Sequence, residues 1–366
     1  MVPILDMHAD VFMDLVRRHE SRNPGKLKNP AGETAPGGAR DHAELEERHL
    51  GRIKSGGIVG AVLIDCRMAG ESAGPEHLEQ FVATVRRELA AAGNRLIHVK
   101  SAADLERALN TKTFAAIVGY EGLNPTKGDL TWIARLYDEA GLRVAVLTHN
   151  DDNEYGGGAL GSQGGPQGRS CAPGVPGGAP DVRVVAPGAQ TLGLTEKGRQ
   201  AVALMNELGI LIDMAHAGQR TRADILAASS RPVMLSHTSA KAVYDNGRNL
   251  SDQEMRAIAD SGGLLGCMTS PAALAPMTDR SHHSLERYMR HLRHMIGAAG
   301  AEHVGLGLHF CEYLYSREEY PLVDGLEDAS RTQAIIGALL AAGYSEEVVE
   351  KIAWRNFARV FGEAVG

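Results

Sequence analysis

Eight short apolar runs rich in β-branched residues alternate with segments of helical periodicity from one end of the chain to the other, and this order constrains the fold most. The runs cover 3–10, 58–66, 114–121, 144–149, 210–216, 232–237, 264–269 and 304–310. Strands separated by helices pair in parallel, because each return crossing needs a dozen or more residues. Eight such units fit a closed (β/α)8 TIM barrel better than an open sheet. Length alone would allow two domains at roughly 150 residues each, but barrels with insertions reach this size as one unit. With no internal repeat, residues 1–366 are expected to form a single barrel domain.

Local signals support the helices between the runs. Thr195 precedes a helical pattern at 199–208, and Ser251 with Glu254 three residues on forms a capping-box pattern before 255–259. Gly209 and Gly262 stand where C-caps are expected. Two further helices, near 327–342 and 345–361, would complete the ring after the eighth run. Residues 156–180 contain ten glycines and four prolines, which suits no regular element. This loop insertion, at about 151–190, follows the fourth run on the face where barrels build their sites. It reads as a lid or as a plain insertion.

Composition removes several function classes. With 45 acidic and 38 basic residues the net charge is -7, which leaves no electrostatic footprint for nucleic acid. There is no apolar run of about 20 residues to span a bilayer. Nor does the sequence start with a basic segment followed by an apolar one. Cys66, Cys171, Cys267 and Cys311 show neither close pairing nor knuckle spacing, so a reducing, cytoplasmic setting is expected.

The chemistry collects at the ends of the runs. His8 and Asp10 close the first, Glu121 the third, His149 the fourth, His216 the fifth, His237 the sixth, and His309 lies in the eighth. One histidine in an apolar run is usually a satisfied core residue. Recurrence at the same barrel position on several strands is a different matter. Alternate strand residues point the same way, so His8 and Asp10 enter the mouth together and can share one cation. Imidazole and carboxylate suit Zn²⁺. His216 and His237, on adjacent strands, can hold a second ion, and Glu121 lies between the two sets as a bridging carboxylate. Two ions roughly 3.5 to 4 Å apart generate a hydroxide nucleophile at neutral pH.

These residues resemble the renal, or membrane, dipeptidase family of binuclear zinc peptidases in the amidohydrolase superfamily. The matching pieces are Asp6-Met7-His8-Ala9-Asp10, Tyr120-Glu121-Gly122, Leu147-Thr148-His149-Asn150, Gly193-Leu194-Thr195, Ile212-Asp213-Met214-Ala215-His216, Ser236-His237-Thr238-Ser239, Arg248-Asn249-Leu250 and Asn356-Phe357-Ala358-Arg359-Val360-Phe361. They span the chain in order. The resemblance implies a metal-dependent hydrolase barrel with one zinc on His8 and Asp10, a second on His216 and His237, and Glu121 between them. It implies that His149 polarises the scissile carbonyl or holds the oxyanion, and that Arg248 grips the carboxylate of a small-molecule substrate as a bidentate fork. The bland alternatives, which weigh less, are a surface ion-pair residue for Arg248 and a packing histidine for His149. A homodimer is expected by analogy with relatives.

One departure alters the expected chemistry. Where the family carries Gly-x-Asp-Phe after the eighth strand, this chain reads Gly307-Leu308-His309-Phe310. In relatives that aspartate orients the bridging hydroxide and carries its proton to the leaving amine. With His309 in its place the site is about one charge more positive, and an imidazole beside two cations is a weaker proton carrier or a further metal ligand. Two readings follow: a zinc-dependent hydrolase of a dipeptide or related carboxylated amide, or a dipeptidase-like protein redirected to a biosynthetic reaction or to binding.

Overall fold

The computed structural model describes residues 1–20, 44–67, 74–159, 192–317 and 320–366. Its strands are β1 (Ile4–Ala9), β2 (Ile58–Cys66), β3 (Leu96–Val99), β4 (Phe114–Glu121), β5 (Leu142–Val146), β6 (Leu211–Asp213), β7 (Met234–Thr238), β8 (Leu264–Cys267) and β9 (Val304–Leu306). All pairings are parallel, in the order β1-β2-β4-β5-β6-β7-β8-β9. The seam is closed by backbone. His309 N donates to His8 O at 3.1 Å, and Asp6 Oδ1 accepts from both His8 N and Leu308 N, at 3.1 and 2.9 Å. The chain is a (β/α)8 barrel.

The eight expected runs are the eight barrel strands. The ninth strand, β3, was not expected. It pairs with Phe114–Ile117 of β4, below the stretch Val118–Glu121 that pairs with β5. Several expected strands stop early: β5 ends at Val146 instead of 149, β6 at Asp213 instead of 216, and β9 at Leu306 instead of 310. The polar ends of these runs leave the ladder, and His216 and His309 take positive φ, 61° and 54°. A left-handed backbone cannot continue a strand.

Helix starts follow the local signals. Thr195 accepts from Gly198 N to cap Glu196–Leu208. Ser251 and Glu254 form a full capping box on Asp252–Asp260. Gly209 and Gly262 both adopt positive φ just past their helices, 74° and 79°. The C-terminal pair is more broken than expected. A 3-10 turn, Ala329–Arg331, precedes helix Gln333–Ala341, and a π turn, Lys351–Arg355, separates Glu346–Glu350 from Asn356–Val365.

Inside the barrel, Leu5, Met7, Val62, Ile64, Ala115, Ile117, Val144, Leu211, Met234 and Leu264 are buried in one cluster that Phe357 and Phe361 plug from below. Side chains of β4 alternate, so Ala115, Ile117, Gly119 and Glu121 share the inner face. A Cβ on Gly119 would lie 2.4 Å from Ile64 and 2.7 Å from Val62, so only glycine fits the layer on which Glu121 rests. Gly307 acts similarly across the barrel, where a Cβ would fall 1.6 Å from Ser236 O. Its absence lets the strand bearing Ser236 and His237 approach. No helix among the described residues is long and apolar enough to cross a membrane. The expected lid lies largely outside the described residues, as does Cys171; Cys66, Cys267 and Cys311 form no disulfide among the described residues.

Candidate metal centre

A bulge sets the first ligand pair. Asp6 pairs with Ala61 and Ala9 with Leu63, so three steps on β1 oppose two on β2. Bulges of this kind re-aim side chains at sites. Here His8 turns its Nε2 to 3.3 Å from Asp10 Oδ1 and 3.8 Å from Glu121 Oε2.

Glu121 is the hub. Its Oε1 lies 3.3 Å from His216 Nε2 and 3.3 Å from His149 Nε2, and its Oε2 lies 3.8 Å from His8 Nε2 and 3.8 Å from His237 Nε2. The two oxygens thus face two different histidine pairs. His216 Nε2 and His237 Nε2 are 2.9 Å apart. Glu121, His216 and His237 form one group close enough to share an ion, and His8, His237 and His309 form another. His309 stacks over His237 and His8, ring centroids 4.7 and 5.1 Å away, with Nε2 3.6 Å from Asp10 Oδ2.

The ring orientations are fixed from behind. Ser236 Oγ lies 3.2 Å from His8 Nδ1 and 2.9 Å from His237 Nδ1, and its two lone pairs can accept from both. Asn150 Oδ1 lies 2.8 Å from His216 Nδ1. Three imidazoles therefore present Nε2 to one carboxylate, the arrangement by which outer contacts prepare a metal site. Ser236 and Asn150 were not singled out from sequence. Each adjoins a histidine that was, and that adjacency was the available signal.

The electrostatics of these residues fit a cation. His8 Nε2 and Glu121 Oε2 are buried without a hydrogen-bond partner. Burial opposes charge on His8, yet the Asp10 and Glu121 carboxylates raise it to about 9, so without metal a proton supplies the positive charge. Burial works against charge on Asp10 as well, but His309 and His8 hold its carboxyl below the usual range. Glu121 is likewise lowered despite burial, by His8 and His149. His216 and His237 lie well below the ordinary histidine value, through burial and then through Arg248 and His8 respectively, and neutral rings are what a metal needs. The donors His8, Asp10, Glu121, His216 and His237 fit a divalent ion of the zinc class in type and burial.

Arg248 is buried, with its guanidinium turned onto the site and away from the surface. One terminal nitrogen lies 2.7 Å from His216 Nδ1 and the other 3.0 Å from His237 Nε2. His149 and His309 are the more open members, their side chains 11% and 13% exposed. All eight residues singled out from sequence meet at this one mouth.

Known proteins resemble this chain in sequence and in fold. The sequence matches the family described as Membrane dipeptidase (Peptidase family M19) over residues 1–170 and 179–365. It is 31% identical over 284 residues to an uncharacterized protein in the pqqA 5' region of Klebsiella pneumoniae, covering 77% of this chain and 94% of that one. It is 27% identical over 329 residues to the dipeptidase tcpJ of Claviceps purpurea, covering 88% of this chain and 69% of that one. In fold it is similar to a Rhodobacter sphaeroides metallopeptidase, liganded with a phosphinate mimic of the dipeptide L-Ala-D-Ala. There the TM-score is 0.74 at 23% identity, with 99% of each chain covered. The chain belongs to the membrane dipeptidase family, peptidase family M19, and is a metallo-dipeptidase-family hydrolase.

Proposed function

We propose that this protein is a binuclear, zinc-dependent hydrolase of a dipeptide or a related small amide that bears a carboxylate. The observation that supports the reading is the position of Glu121, whose Oε1 faces His149 and His216 and whose Oε2 faces His8 and His237, with Asp10 Oδ1 beside His8 Nε2. His8 and Asp10 would hold one ion and His216 and His237 the other, with Glu121 between them. When bound, such a pair lowers the pKa of a shared water and polarises a carbonyl.

The remaining roles belong to this chain's own groups. His149, at the open side of the site, donates to the oxygen of the scissile carbonyl as charge develops there. Arg248 receives the substrate carboxylate. His237 Nε2 cannot both accept from Arg248 and ligate an ion, so loading frees that arm of the fork for the substrate. The stacked His309 would accept a proton from the nucleophile through Nε2 and pass it toward the leaving amine, less effectively than a carboxylate would. The liganded Rhodobacter relative supports a dipeptide-like substrate. The extra positive charge that His309 leaves in the site disfavours a free ammonium beside the metals, so acidic or amine-blocked substrates suit it better.

His309 also supports a second reading, a redirected or binding relative, because an imidazole stands over His8 and His237 where relatives would place a carboxylate. Elemental analysis and an activity screen test both. Zinc-reconstituted protein should carry at least two ions per chain, with fewer in Glu121→Ala and His216→Ala, and should hydrolyse some members of a panel of dipeptides, N-acyl amino acids and acidic amides. Metal content near zero, or unchanged in both variants, would remove the binuclear reading. Full loading with no turnover on the panel would favour the redirected one.

A further inference from the structure

Beside the five donors above lies a set of three in which Asp10 recurs with two groups, His309 and Cys311, that the binuclear reading does not use as ligands. Asp10 turns Oδ1 toward His8 and Oδ2 away from it. The Cys311 thiol donates to that Oδ2 at 3.1 Å and lies 3.4 Å from His309 Nδ1, while His309 Nε2 is 3.6 Å from the same oxygen. One donor atom from each of Asp10, His309 and Cys311 falls within 4.8 Å of the others. Around a tetrahedral zinc-class ion, with metal–sulfur near 2.3 Å and metal–nitrogen or metal–oxygen near 2.0 Å, neighbouring donors lie roughly 3.3 to 3.5 Å apart. The Cys311 Sγ spacings to Asp10 Oδ2 and to His309 Nδ1, 3.1 and 3.4 Å, are close to those of such a set, with His309 offering Nδ1 as its single donor and keeping Nε2 for proton transfer.

We propose that Asp10, His309 and Cys311 form a further, thiolate-bearing position for a thiophilic divalent cation. Asp10 would be shared between this position and the His8 side, as Glu121 is shared between the two histidine pairs. Binding there replaces the Cys311 S–H proton with the cation and releases that proton to solvent, leaving a thiolate as ligand. The backbone supports the arrangement. His309 adopts φ 54°, a conformation uncommon outside glycine, and this turn brings its ring and the Cys311 thiol to the same side of Asp10. A soft sulfur ligand favours zinc or cadmium over magnesium or manganese, so this position would bias the whole centre toward the softer ions.

The inference rests on the metal reading of the site, and cobalt separates the two. Full-length protein reconstituted with Co²⁺ should show a thiolate-to-cobalt charge-transfer band beside the visible bands of histidine-bound cobalt. Cys66 also lies near Glu121 and His149 and is the internal control. The charge-transfer band should survive in Cys66→Ser and vanish in Cys311→Ser, which should also retain about one fewer ion per chain by elemental analysis. Visible cobalt bands in the wild type without the charge-transfer band would overturn this inference and leave the binuclear reading standing. So would a band that persists in Cys311→Ser or disappears only in Cys66→Ser. Absence of bound cobalt altogether would overturn both.

Discussion

Asn150 Oδ1 lies 2.8 Å from His216 Nδ1, and this contact decides which nitrogen His216 offers to Glu121. With a proton on Nδ1 the ring donates to Asn150 and its bare Nε2 faces the carboxylate. With Nδ1 bare, the ring accepts from Arg248 instead, and the proton on Nε2 occupies the place of a metal. Only the first tautomer binds a cation. Asn150→Ala should therefore weaken zinc affinity by about 10 to 100-fold, the usual scale for losing such an outer contact. Chelator competition measures it. Unchanged affinity would mean that packing alone orients His216.

Arg248 carries the second prediction. Its planar guanidinium can hold a carboxylate through two parallel hydrogen bonds, which the point charge of lysine cannot reproduce. Arg248→Lys should weaken a phosphinate dipeptide mimic by about 1 to 3 kcal/mol, the scale of a charged hydrogen bond, while metal content stays intact. Calorimetric titration of the zinc-loaded variant reads this directly. Equal affinity would make Arg248 a structural partner of His216 and His237.

Acid sensitivity should trace partly to His291. Its Nδ1 accepts from Ala240 N at 3.1 Å and its Nε2 donates to Leu274 O at 3.0 Å, so the neutral ring pins the start of the loop that bears Arg248. Burial pushes this histidine down to about 4 from 6.5. A depressed folded-state value means that the unfolded chain binds the proton first. The stability this group contributes is present above pH 6.5 and lost as pH falls toward 4, on the order of 3 kcal/mol in all. In His291→Asn, urea midpoints should be lower at pH 7 but should fall less between pH 6.5 and 4. Parallel pH profiles would locate the acid sensitivity elsewhere.

The order of strands and the caps of helices were readable because both are local. Ser251 and Glu254 need only a turn of chain to find each other, and a buried parallel strand announces itself as a continuous apolar run. The strand Leu96–Val99 was hidden because four residues carry too little periodicity, and it exists only where β4 leaves an edge open below β5. The site's composition was visible in its histidines and carboxylates. Its orientation was not, since Ser236 serves His8 across the barrel and Cys311 meets Asp10 across the seam, 228 and 301 residues apart in sequence. Nothing in the sequence pointed to the positive φ at His216 and His309.

His309 separates hydrolysis from a redirected chemistry. The ring stands over His8 and His237 with Nε2 3.6 Å from Asp10 Oδ2, inside the cluster where a carboxylate would accept a hydrogen bond from the nucleophile and hand its proton to a departing amine. His309→Asp should supply that acceptor and add one negative charge beside the metal centre. Positioned acid and base groups contribute about 10² to 10⁴-fold, so dipeptide turnover should rise visibly even in an imperfectly shaped pocket. If His309 is the working residue of another reaction, the variant should lose the wild type's own activity and gain little on dipeptides. In both cases simple dipeptides should be poor substrates for the wild type. Rapid dipeptide hydrolysis by unmodified, zinc-loaded protein would show that no carboxylate is needed at this position and that the imidazole carries the proton unaided.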